Sequence, residues 1–92
     1  MSYIIELTSA ATIDIEKLKK AGAIKVLQKI DQLLNELREH PFSGTGKPEP
    51  LKYYQVPTWS RKINNKHRLI YRVDDDRVVV LVLSFLGHYG DK

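Results

Sequence analysis

Apolar and polar positions change period twice along the chain. Tyr3, Ile4, Ile5 and Leu7 are strand formers, and they predict a short strand over residues 2–7. The period then lengthens. Ala11, Ile15 and Leu18 recur at helical spacing, and Thr8 or Ser9 stands where a hydroxyl caps a helix N-terminus. Gly22 supplies a C-terminal break. A second helix is predicted over residues 23–39, with Leu27, Ile30, Leu34 and Leu37 flanked by Val26 and Leu33 in one wide apolar stripe. Pro41 ends it, because proline disfavours helical geometry in the residue before it. The junction is so short that the two helices must double back as an antiparallel hairpin.

Residues 42–52 are rich in glycine, proline and lysine, have no apolar period, and read as a loop. Strand periodicity follows. Residues 58–64 form a candidate strand, and Asn64-Asn65-Lys66 a turn, since asparagine tolerates left-handed geometry. Over 67–73, Leu69, Tyr71 and Val73 alternate with Arg68, Ile70 and Arg72. Asp74-Asp75-Asp76 is the next turn. Residues 78–86 are apolar except for Ser84, which predicts a strand buried on both faces in mid-sheet. Folding back at 74–76 sets positions near 69 opposite positions near 81. It also carries His88 past the start of the preceding strand, towards Arg68. The predicted fold class is α+β: an N-terminal strand and a two-helix antiparallel hairpin packed on one face of a mostly antiparallel β-sheet. The other face keeps the charged residues of the later strands.

Ninety-two residues predict one domain, 1–92, with a modest core. Without cysteine there is no disulfide and no thiolate chemistry. The N-terminal stretch has no basic leader, and no apolar run reaches the roughly 20 residues that span a bilayer. A cytoplasmic protein with no membrane partner is expected. The net charge of +4 is unevenly placed. Residues 1–43 carry six basic and six acidic side chains, whereas 47–72 carry seven basic residues and a single acid, Glu49. Such a stripe is a footprint for a polyanion, RNA or DNA above all, although a merely solvated basic face has the same composition.

Four residues have the chemistry for more than binding: Glu49, Arg68, His88 and Tyr89. A carboxylate, a guanidinium and an imidazole are what metal-free RNA cleavage needs. The 2′-hydroxyl must lose a proton, the phosphorane must be neutralised, and the leaving oxygen must gain a proton. Histidine, with a pKa of about 6.5, suits proton transfer near neutral pH. Tyr89 suits stacking on a base or hydrogen bonding to phosphate. Each also has a plain structural reading: a solvated loop charge, a paired arginine, a tail. His40 and His67 read as structural, and Asp74-Asp75-Asp76 as a polar turn, not a cation site. No metal-ligand spacing, P-loop or nucleophile elbow is present, and no cofactor is expected.

PFSGTGKPEPLK, then WSRKINNKHRLIYRV, then the terminal His-Tyr pair resemble the YoeB/Txe toxins of the RelE/ParE superfamily. The resemblance runs from about Leu27 to Tyr89. It implies the toxin of a type II toxin–antitoxin module, a ribosome-dependent endoribonuclease that cuts mRNA in the vacant A site without a metal. By position, Glu49 matches the general base, Arg68 the phosphate-stabilising arginine, His88 the general acid and Tyr89 the neighbouring tyrosine. Lys47, Lys52, Arg61 and Lys62 match basic positions that contact RNA. The implied partners are a cognate YefM/Axe-like antitoxin, the 70S ribosome with its mRNA, and a second copy of the chain in a homodimer. Aliphatic residues replace the tryptophans common in the first helix, and three residues follow Tyr89. Pro48 and Pro50 fix their own φ and bias Lys47 and Glu49 towards extended geometry, so the carboxylate is held out on a stiffened arm. The alternatives are a gyrase-inhibiting relative of the ParE branch, a non-catalytic basic RNA-binding module, and an inactive decoy for the antitoxin.

Overall fold

Thr8 ends the first strand, starts the first helix, and joins both to the last strand. The computed structural model describes residues 2–52, 54–77 and 79–87. The elements are β1 (Ile4–Leu7), α1 (Ser9–Lys20), α2 (Ile24–Glu39), β2 (Glu49–Pro50), β3 (Trp59–Lys62), β4 (Arg68–Asp74) and β5 (Val79–Gly87). Thr8 is extended, and its Oγ1 accepts the Ala11 N–H at 3.1 Å, which caps α1. The same hydroxyl donates to the Leu83 carbonyl at 2.7 Å, and the Thr8 N–H donates to Val82 O at 3.0 Å. Gly22 has φ +67°, the left-handed geometry that lets the chain leave α1 and begin α2 two residues later.

The five strands lie in the order β1-β5-β4-β3-β2. Only β1 and β5 are parallel, and every other neighbouring pair is antiparallel. The α+β expectation therefore holds, with β4 at the centre and β5 an interior strand. Ala11 and Leu18 of α1 and Ile30, Leu33 and Leu37 of α2 share one buried cluster with Leu69, Tyr71, Val80, Val82 and Phe85 of the sheet. Burying a side chain such as Leu33 or Leu37 contributes roughly 1.5–3 kcal/mol. This packing, more than helix propensity, holds the hairpin in place.

Residues paired directly across neighbouring strands share a face. Pro50, Trp59, Tyr71 and Val82 form one row, on the face that meets the helices. Glu49, Ser60, Ile70 and Ser84 form the next row, on the open face. Lys62 and Arg68 follow on that same face, opposite Gly87.

Two sequence expectations are corrected here. Residues 42–52 are not wholly loop, because Glu49 and Pro50 pair with Ser60 and Trp59 as an edge strand too short for periodicity to mark. The β4–β5 register also differs. Arg72, not a position near 69, faces Leu81, because the turn closes between Asp74 and Val79. Two shifts along β5 then add a residue each, so that Arg68 comes to face Gly87. Such bulges withdraw backbone groups from the ladder. Asp14 of α1 accepts the Phe85 N–H at 3.0 Å, and the Leu83 carbonyl takes the Thr8 hydroxyl. Thr8→Val removes a cap and a bulge contact together, so it is expected to cost about 1–2 kcal/mol. Urea unfolding should show a lower midpoint at an unchanged slope.

Candidate active site

The candidate residues divide between the two faces of the sheet. Glu49 is held by the β2–β3 pairing, reinforced by Leu51 N–H to Thr58 O at 2.8 Å and Lys62 N–H to Gly46 O at 2.7 Å. It shares the open face with Ser60, Lys62, Arg68, Ile70 and Arg72. Arg68, partly exposed, opens β4 two strands away from Glu49. Two strand spacings across the sheet and two residues along it separate their backbones by roughly 12 Å, within reach of two long side chains meeting over one phosphate. Lys47, Lys52 and Lys62 are all exposed around Glu49. Arg72 donates from Nε to Thr58 Oγ1 at 3.1 Å, which holds its guanidinium along the sheet. His88 and Tyr89 lie outside the described residues, and the last described residue, Gly87, faces Arg68.

Lys47 departs from its expected geometry. It has φ +51° and is not extended, despite the following proline. It stands in a reversal with Gly46 at φ +87°, where the chain turns to run beside β3. Glu49, which precedes Pro50, keeps the expected extended geometry, but within an edge strand and not a loop.

Arg61 is the main correction. It was expected to contact RNA, but it is completely buried on the helix side of the sheet. Its Nε donates to Tyr71 Oη at 3.3 Å, and its Nη1 to Glu36 Oε1 at 3.1 Å and to Thr45 O at 3.4 Å. Its Nη2 donates to Ser43 O at 2.7 Å and to His40 O. A guanidinium has five N–H donors, and here five contacts use them. Strand alternation carried the signal, since the period that turns Trp59 and Ile63 inward turns Arg61 inward with them.

Glu36, Thr45 and Tyr71 were not singled out from sequence, because a helix, a loop and a strand bring them together. The Thr45 N–H donates to Glu36 Oε1 at 2.8 Å and its hydroxyl to Oε2 at 2.7 Å. Tyr71 Oη donates to Pro41 O at 2.7 Å. Burial raises the Tyr71 pKa and Arg61 opposes it, with a net upward shift. Burial also pushes the Glu36 carboxyl up. The Thr45 side-chain and backbone hydrogen bonds, Gln32 and the Arg61 charge together outweigh it, so the group titrates below its ordinary 4.5. Ser60, between Glu49 and Ile70, is buried, and among the described residues its hydroxyl has no hydrogen-bond partner.

His67 closes the predicted Asn64 turn through its backbone. Its N–H and that of Lys66 donate to Asn64 Oδ1 at 2.8 and 2.9 Å. In the acidic turn, Asp75 accepts from Tyr3 Oη at 2.6 Å and Asp74 from the Arg77 N–H at 3.2 Å. Among the described residues no group of three His, Cys, Asp or Glu side chains is arranged to hold a metal ion. Among them, too, no helix is long and apolar enough to cross a membrane.

Residues 8–89 match the family of YoeB-like toxins of bacterial type II toxin–antitoxin systems. The chain belongs to that family. Toxin YoeB of Escherichia coli (strain K12) is 42% identical over 65 residues, which span 71% of this chain and 75% of the relative. A YoeB/ParE toxin structure from Agrobacterium tumefaciens superposes with a TM-score of 0.85 at 34% identity, covering 94% of this chain and 99% of the other. The YoeB dimer of Staphylococcus aureus gives a TM-score of 0.83, and the heterotetrameric YoeB–YefM complex from the same organism 0.79. Each is 33% identical, covering 97% of this chain and 100% of the other.

The Glu36 contacts of this toxin set a pH window. A folded pKa below the unfolded one gives stability that is complete above the unfolded value and lost as pH falls through the folded one. Glu36→Gln is expected to be about 1–2 kcal/mol less stable than wild type at pH 7. In urea unfolding that gap should hold down to about pH 5 and narrow below about pH 4.

Proposed function

We propose that this toxin is a ribosome-dependent endoribonuclease that cuts mRNA in the A site by acid–base chemistry of its own side chains. The observation that carries the reading is the open sheet face, where Glu49 and Arg68 stand two strands apart among exposed lysines, with β5 ending opposite Arg68. Glu49 takes the proton of the 2′-hydroxyl, and the 2′-oxygen attacks phosphorus. Arg68 neutralises the phosphorane oxygens. The P–O5′ bond breaks, and His88 protonates the departing oxygen, which leaves a 2′,3′-cyclic phosphate and a 5′-hydroxyl. Tyr89 stacks on a base or donates to phosphate.

Lys47, Lys52 and Lys62 hold the RNA backbone, and Arg61 is withdrawn from that set by its burial. The toxin works in the bacterial cytoplasm, and a YefM-like antitoxin restrains it. The S. aureus YoeB–YefM complex supports that partner, and the S. aureus YoeB dimer supports self-association.

The test is primer extension on ribosomes programmed with an empty A site, comparing wild type with Glu49→Ala, Arg68→Ala and His88→Ala. Each substitution is expected to slow cleavage at least about 100-fold, the scale of a lost proton-transfer or charge-stabilising group. A folded wild type that binds the ribosomes and makes no cut would overturn the catalytic reading. Binding to single-stranded RNA should weaken with rising salt. Each of Lys47→Ala, Lys52→Ala and Lys62→Ala is expected to flatten the log–log slope by about 0.7.

A further inference from the structure

We propose that Arg61, acting with Glu36 and Thr45, is a positioning residue for the Glu49 carboxylate. The proposal rests on the catalytic role assigned to Glu49 above. Between the end of α2 and β2 the chain covers nine residues, 40–48, without a regular element. Arg61 gathers three carbonyls of that stretch, those of His40, Ser43 and Thr45, on one buried guanidinium. Tyr71 takes a fourth, that of Pro41. Glu36 accepts the Arg61 Nη1 and both donors of Thr45, so helix, loop and strand meet at one carboxylate.

Three consecutive residues of β3 reach the arm from both sides. Arg61 holds the loop from the core, Lys62 N–H holds Gly46 O, and Ser60 is the pairing partner of Glu49. The fit leaves no slack. A Cβ on Gly44 would lie 2.6 Å from Glu36 Oε1, and one on Gly46 2.8 Å from Lys62 O. A displacement of the latch therefore moves the start of β2, and with it the Glu49 side chain.

Stability alone is a poor account of this arrangement. Apolar residues of equal volume often stabilise a fold as well as a buried ion pair does. The guanidinium instead offers a planar, rigid fork that fixes where several acceptors stand relative to one another. A base that must meet one hydroxyl needs that order of fixity, since a misplacement of about 1 Å can cost 100-fold in rate.

Arg61→Lys keeps the charge and loses the fork, but it also endangers folding. Thr45→Val is the decisive variant, because it removes one hydroxyl at the rim of the latch. Steady-state cleavage on programmed ribosomes is measured where circular dichroism shows each protein folded. Thr45→Val is expected to lower kcat about tenfold with KM within about twofold, and Thr45→Ser to restore kcat. An unchanged kcat in Thr45→Val, a rise in KM alone, or no rescue by serine overturns the latch. Glu49→Ala run beside them separates the two ideas. If it cleaves at the wild-type rate, the role of Glu49 fails and the latch fails with it. If it loses cleavage while Thr45→Val does not, the latch alone fails.

Discussion

One buried cation organises the half of the molecule that carries the candidate site. Arg61 stands in the sheet where an aliphatic residue would be cheaper to bury, and its five donors all find acceptors. Because four of those acceptors belong to α2 and the segment after it, the guanidinium determines how the chain leaves the helical layer. Without it the carbonyls of residues 40–45 would need water inside the fold, and the edge strand would lose its approach to β3. The charge is tolerable because Glu36 lies 3.1 Å away and is itself held by Thr45 and Gln32.

The sheet then separates two kinds of work. One face is closed by the helices and filled with aliphatic and aromatic side chains. The other gathers Glu49, Lys62, Arg68 and Arg72, drawn from three neighbouring strands. Since pairing partners share a face, register alone decides which charged residues keep company. The bulges in β5 belong to the same logic, for they bring the strand's last residue opposite Arg68.

The helices were legible in the sequence because an apolar stripe of period 3.6, a threonine cap, a glycine and a proline all agreed. The Asn64 turn was legible from its asparagines, β4 from alternation and β5 from its unbroken apolar run. What escaped was what depends on partners distant in sequence. A two-residue strand has no period, and Glu49–Pro50 exists only through β3. The register of β4 on β5 turns on bulges whose stray groups are satisfied by Thr8 and Asp14, some seventy residues earlier. Arg61 stands among the basic positions that the family resemblance implies contact RNA, while its place in the alternation turns it into the core. Lys47 was set extended from its following proline, while the reversal at Gly46 governs its backbone. Glu49 and Arg68 were found as chemical types, and the shared open face is what topology added.

The pairing of the first strand with the last has a consequence for the order of events in the cell. β1 leaves a ribosome well before β5, yet the two are neighbours in the sheet. The central strand β4 also waits for β5 to cover its flank. Chains generally acquire structure from the N-terminus as they emerge, but this sheet cannot close until synthesis of β5 is complete. Its open face is therefore assembled only after β5 has been made. A toxin whose proposed target is the ribosome thus reaches its working form only once β5 has left the ribosome that made it.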